Sequence, residues 1–104
     1  MANGQWGGLR TIVSAVEVTQ TIDAECENYP RLREAWYALE WLLARSADVI
    51  GRPSRRADIP LRLYVQADDP LAGVPAIGVV YKVGEEIEIV AVKIVPPEEA
   101  ADEE

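Results

Sequence analysis

The chain has 104 residues, of which 49% are hydrophobic and 27% charged, a composition typical of one globular domain. The single cysteine excludes an intrachain disulfide, and the lack of histidine removes the Cys–His nucleophile pair and the ordinary zinc ligand sets. No run reaches the roughly 18 apolar residues of a membrane span, and the first residues lack the pattern of a secretory signal. We therefore expect a cytoplasmic protein without a membrane segment, a metal or another cofactor.

The first part of the chain predicts an arm, a strand and a helix. Residues 1–10 are glycine-rich and polar and predict a flexible arm, in which Trp6 is either a contact or without a role. Residues 11–22 (TIVSAVEVTQTI) are rich in β-branched residues and alternate as a half-buried strand does. Asp23 then offers an N-cap for a helix, and Pro30 predicts the start of a second helix after a short first one.

Residues 31–50 carry the clearest periodic pattern, with apolar residues at three- and four-residue steps. The predicted buried stripe consists of Leu32, Ala35, Trp36, Leu39, Leu42 and Leu43. Tyr37 and Trp41 lie four apart on its flank, and for these two and Trp36 core packing is favoured over a platform for base stacking. Gly51 is a natural end for this helix.

Three strands are predicted after the helix. Residues 59–66 (IPLRLYVQ) alternate, whereas residues 67–76 hold two prolines and a glycine and predict a loop, in which Asp68 and Asp69 are more typical of a turn than of a metal site. Residues 77–83 and 87–95 predict a hairpin through Gly84. The last strand ends almost wholly apolar, so its far half is expected to be central and covered on both faces.

The predicted architecture is therefore one α+β domain, residues 11–95. It consists of an antiparallel sheet of about four strands with one or two helices packed on one face. The Leu/Trp stripe is expected to pack on Val79, Tyr81 and Ile89. Residues 96–104 predict an acidic, disordered tail; it either solubilises the chain, which we favour, or folds back onto arginines.

The order and pattern of these elements resemble the RelE/ParE superfamily of bacterial toxins. The likeness is strongest at residues 78–95 (GVVYKVGEEIEIVAVKIV), which are similar to the closing hairpin of the family. Residues 30–45 (PRLREAWYALEWLLAR) resemble its second helix and residues 59–65 (IPLRLYV) its middle strand. The resemblance spans residues 12–95. It implies a toxin-like component of a toxin–antitoxin pair, with a protein antitoxin as partner and the ribosome with its mRNA, or gyrase, as target.

The resemblance leaves the catalytic residues unknown. The ribonuclease branch uses Arg and Lys from the sheet with a C-terminal Tyr or His, because in-line attack on a phosphate needs cations and a proton carrier. Here Arg62 and Lys93 match in part, but Pro96 and Pro97 with the acids after them stand where the family continues with Arg and then Tyr or His. We therefore expect a toxin-like component that acts by binding its target, without an intact nuclease site. The alternatives are a non-catalytic protein-interaction domain that keeps only the fold, and a ribosome-dependent mRNA endonuclease.

The distribution of charge suggests where a partner binds. The net charge is −8, and five of the ten basic residues lie between positions 45 and 62. An acidic chain repels nucleic acid as a whole, whereas an arginine-rich edge attracts a phosphate or an acidic antitoxin segment. The candidate partner-binding residues are Arg45, Arg52, Arg55, Arg56, Arg62 and Lys93. The competing interpretation, a solvated helix end and loop, is favoured for charge runs of this kind.

Overall fold

The computed structural model describes residues 9–54, 58 and 60–97. The predicted arm falls outside this part over residues 1–8, and the predicted tail does so over residues 98–104. The elements in chain order are β1 (Ile12–Ser14), α1 (Val16–Glu25), α2 (Leu32–Ser46), β2 (Arg52–Pro53), β3 (Arg62–Gln66), β4 (Ala76–Val83) and β5 (Ile87–Val95).

The strands form one mixed sheet in the order β1-β5-β4-β3-β2. The β5–β4, β4–β3 and β3–β2 pairs are antiparallel, whereas β1 lies parallel to β5. The predicted α+β class is confirmed, with five strands in place of about four. The chain leaves β1, passes through both helices and the strands β2 to β4, and returns in β5. Because β5 lies beside β1 and runs in the same direction, these two strands form a parallel pair.

The first strand is much shorter than the sequence predicts. β1 ends at Ser14, and α1 begins at Val16, well before Asp23. Val18 and Ile22 stand four residues apart, so one helical face buries both of them, to 1% exposure each. Packing of this pair on the sheet therefore overrides the strand preference of the β-branched residues.

The helix layer covers one face of the sheet, as predicted. Leu32, Trp36, Leu39 and Leu43 of α2 are buried and belong to one core cluster with Val79, Tyr81 and Ile89. Tyr37 and Trp41, however, are 59% and 58% exposed, so their predicted core packing is wrong. Both lie on the solvent side of α2, because a step of two residues from Leu39 turns a helix by about 200°.

The end of β5 departs from its prediction. β1 pairs with β5 only from Ile87 to Ile89, so among the described strands the rest of β5 has a neighbour on the β4 side alone. Ala91, Lys93 and Val95 are exposed, so the far half of the strand is covered on one face and not on both. The apolar run at the end of the strand is therefore partly a surface feature.

Candidate functional site

The face of the sheet opposite the helices is apolar. Cross-strand register places Leu63 beside Val80 and Val80 beside Ala91, and the next row holds Val65, Gly78 and Lys93. Ala76 and Val95 form the last row. We call this surface the open face, made of Leu63, Val65, Ala76, Gly78, Val80, Ala91, Lys93 and Val95.

The open face is concave and accessible to solvent. It forms a groove of about 330 Å³. Leu63 and Val65 of β3 are 42% and 57% exposed, and Val95 of β5 is 44% exposed. This is a large apolar exposure for one face of a sheet. Gly78 stands in the middle row without a side chain, and this deepens the groove between Val65 and Lys93. A concave apolar surface of this kind is typical of a site that binds an apolar segment.

The open face exists because the polar residues of β3 point towards the helices. The Gln66 side-chain amide donates to the backbone carbonyl of Ala35 at 3.3 Å, and Tyr64 packs against the core cluster. Arg62 also points to this side, in register with the buried Tyr81. Since side chains alternate along a strand, Leu63 and Val65 must then face solvent.

Two of the predicted partner-binding cations lie on the open face. Among the residues that the structure describes, Lys93 is the one charged residue that lines the groove. Arg52 of β2 is in register with Leu63, which places it at the outer end of the first row. Both side chains are exposed. The open face therefore combines an apolar floor with positive charge on β5 and at the β2 margin.

Arg62 lies on the other side of the sheet and binds the chain that follows α2. Its Nη2 donates to the carbonyl oxygens of Ile50 and Gly51, each 3.2 Å away. Both carbonyls belong to the turn that follows the helix, and a partly buried carbonyl without a hydrogen-bond partner is costly, so the guanidinium stabilises this turn. Arg62 is therefore a capping residue for the chain after α2.

The Tyr81 hydroxyl completes this cap. It lies 3.0 Å from the carbonyl oxygens of both Ala47 and Ile50 and donates its proton to them. Burial raises the pKa of Tyr81, an effect that the nearby Arg62 opposes. A tyrosine hydroxyl is protonated at neutral pH even at its ordinary pKa, so Tyr81 is a donor there with or without this shift.

The remaining candidate cations do not join the open face. Arg45 is exposed in the last turn of α2, on the side of the helix that faces away from the sheet. Arg55 and Arg56 lie outside the described residues. The described candidates therefore lie in three places: Arg45 on the helix layer, Arg62 between the layers, and Arg52 with Lys93 on the open face.

The titratable groups elsewhere serve mainly to hold the fold. Arg10 forms two hydrogen bonds with Asp48, at 2.6 and 3.0 Å, and these lower the pKa of the Asp48 carboxyl. Burial raises the pKa of Glu40. Asp69 accepts from the backbone N–H of Ala72 at 3.4 Å and exchanges backbone hydrogen bonds with Val74, as the turn prediction requires.

The described part of the chain contains neither a candidate metal site nor a membrane-spanning helix. These residues contain no group of three or more His, Cys, Asp or Glu placed to hold a metal ion. Their helices are all too short or too polar to cross a membrane.

Comparison of the chain with protein families, with curated proteins and with solved structures gives no match. The resemblance to the RelE/ParE superfamily therefore remains a prediction from the sequence pattern.

The sequence predicts which residues of β3 lie on the same side of the sheet, but it does not predict that this side is exposed to solvent. Alternation in β3 separates Leu63 and Val65 from Arg62 and Tyr64, and the usual rule would bury the two aliphatic residues. A usable signal lies in the hairpin, because Gly78 and Ala91 are too small to fill a core position opposite a helix layer.

Proposed function

We propose that the chain is a binding protein of the toxin–antitoxin type, which recognises an apolar, acidic polypeptide segment through the open face of its sheet. The observation that carries the proposal is the apolar groove of about 330 Å³ on a face that no described element covers. In the RelE/ParE-like interpretation, that segment belongs to an antitoxin or to the target.

The composition of the open face supports a partner of this chemistry. Its floor consists of aliphatic side chains and Gly78, which favour an apolar segment. Lys93 and Arg52 supply positive charge, and the described lining of the groove contains no carboxylate, so a partner with an acid beside its apolar residues is favoured.

The size of the face favours a segment over a globular surface. Three strands about 4.8 Å apart span only about 14 Å. The strands are five to nine residues long, so a patch of this width covers roughly a few hundred Å². A standard interface between two folded proteins buries about 800 Å² on each partner, which is more than this patch offers. An extended or helical segment that lies along the strands fits these dimensions.

The positions of the cations support binding more than catalysis. Arg62 points towards the helices and Lys93 points to the opposite face, so the two cannot act on one phosphate. Arg62 also already donates to two carbonyl oxygens. The endonuclease alternative would need a different set of cations, and the described sheet offers Lys93 and Arg52 for that purpose.

Growth after induction tests the proposal. Induced alone, the wild-type chain should arrest growth, and Val65→Asp should relieve the arrest because it places a carboxylate in the apolar groove. Val65 is 57% exposed, so this variant should fold. The matched control is Val16→Asp: Val16 is 66% exposed at the start of α1, where an acid is well tolerated. This control should arrest growth as the wild type does.

Three outcomes would contradict the proposal. Unimpaired growth at high soluble expression would remove the toxin interpretation and leave the non-catalytic interaction domain. Equal arrest by the wild type and Val65→Asp would show that toxicity does not use the open face. Messenger cleavage by the purified chain in the presence of ribosomes, lost in Lys93→Ala and Arg52→Ala, would favour the endonuclease.

A further inference from the structure

The solvent side of α2 carries a regular row of exposed residues. Glu34, Ala38, Trp41 and Arg45 are all exposed and are separated by steps of four, three and four. This spacing places them along one stripe of the helix, as in the seam of a coiled coil. We call these four residues the α2 seam. Trp41 at its centre is 58% exposed, and Trp is a residue that interfaces favour.

The α2 seam is complementary to itself. When two copies of the seam run antiparallel around a two-fold axis midway between Ala38 and Trp41, Ala38 of each copy faces Trp41 of the other. The same axis places Glu34 opposite Arg45. A large side chain then meets a small one, and a carboxylate meets a guanidinium.

The acid and the base of the α2 seam are too far apart to form an ion pair with each other within one chain. Glu34 and Arg45 are eleven residues apart on α2, about 16 Å along the helix axis. Glu34 does contact Arg31 at 3.2 Å, but both side chains are largely exposed, at 71% and 59%, and such a pair contributes little. An exposed ion pair of this kind does not prevent Glu34 from pairing with Arg45 of a second copy across a two-fold axis.

We propose that this chain forms a homodimer through antiparallel packing of the α2 seam. This inference is independent of the open face, which lies on the other side of the molecule. One helix-to-helix contact buries less than the about 800 Å² per partner of a standard interface, so the dimer is weak and forms in the micromolar range or above. A dimer of this kind would present two open faces on its outer sides.

Sedimentation velocity over a concentration series tests the dimer, with the full chain. The wild type should shift from monomer to dimer as its concentration rises. Trp41→Ala should move the transition at least tenfold upwards in concentration, because it removes the central contact. Leu71→Ala is the matched control: Leu71 is 100% exposed on the loop between β3 and β4 and is not part of the α2 seam, so this variant should associate as the wild type does. Circular dichroism checks that each variant is folded.

A charge exchange tests the direction of packing. Glu34→Arg alone and Arg45→Glu alone should each weaken the dimer, since each places like charges across the axis. The double variant should restore association to the wild-type range. A chain that stays monomeric at every concentration, or a double variant no stronger than the single ones, would overturn the inference. So would a dimer that persists in Trp41→Ala and is lost in Val65→Asp, which would assign self-association to the open face.

Discussion

Gly51 shows most sharply how closely the chain after α2 approaches the sheet. Its φ is +75°, and a Cβ at this position would lie 2.7 Å from both the Leu63 carbonyl oxygen and the Tyr81 hydroxyl. Gly73 has a similar φ of +72° but no neighbour within 4 Å of its Cβ position. The two glycines therefore share a positive φ, and they differ in whether the surroundings leave room for a side chain.

This pair gives a prediction at the scale of one residue. Gly73→Ala should lower the free energy of unfolding by about 1–2 kcal/mol, the cost of a left-handed conformation for alanine. Gly51→Ala should cost clearly more, because the methyl group must also displace the Tyr81 hydroxyl from the carbonyls it binds. Urea denaturation followed by circular dichroism measures both values. Equal losses for the two variants would contradict the close packing of Gly51.

The role of Arg62 could not be predicted from the sequence. Its acceptors, the carbonyls of Ile50 and Gly51, are twelve and eleven residues away and meet it only because β3 folds back beneath the chain after α2. Gly51 does not end the helix as predicted, because α2 ends at Ser46; Gly51 instead adopts the positive φ that the loop after the helix requires and that only glycine takes easily.

At the scale of one element, α2 is the part of the fold that fastens the helix layer to the sheet. Leu39 is fully buried at the middle of the helix, two residues from Tyr37, which is 59% exposed. The helix is thus amphipathic, with an apolar stripe towards the sheet and the α2 seam towards solvent.

Alanine substitutions at these two positions should have very different effects. Leu39→Ala should lower the free energy of unfolding by about 2–5 kcal/mol, because it leaves a cavity in the core. Tyr37→Ala should change it by less than about 0.5 kcal/mol, as is usual for an exposed position. Denaturant unfolding at a concentration that keeps the chain monomeric measures both. A Leu39→Ala loss as small as that of Tyr37→Ala would show that α2 does not form the core.

Elements with strong periodicity were predictable, and elements decided by packing were not. The three- and four-residue steps of α2 and the alternation around Gly84 specify a helix and a hairpin locally. Val16–Glu25 has the β-branched residues of a strand, and only its packing on β5 and α2 makes it a helix. The direction in which β3 presents Leu63 and Val65 likewise depends on contacts from Gln66 and Arg62 to distant backbone.

At the scale of the whole molecule, the sheet divides the chain into two unlike sides. One side carries both helices and the core cluster, and the other carries the apolar open face with Lys93 and Arg52. The net charge of −8 opposes general binding of nucleic acid, whereas these two cations favour an acidic segment locally. The core that stabilises the fold thus lies on one side of the sheet, and the face proposed to bind a partner lies on the other.

The central claim is that the open face is accessible to solvent in the isolated chain although its residues are aliphatic. Methyl NMR spectra with a soluble paramagnetic probe measure this most directly. The account predicts strong broadening of the methyl signals of Leu63, Val65 and Val95 and little broadening for Ile77, Val79 and Ile89, which are fully buried. Protection of Leu63 and Val65 equal to that of Val79 would contradict it, since the face would then be covered and not free for a partner.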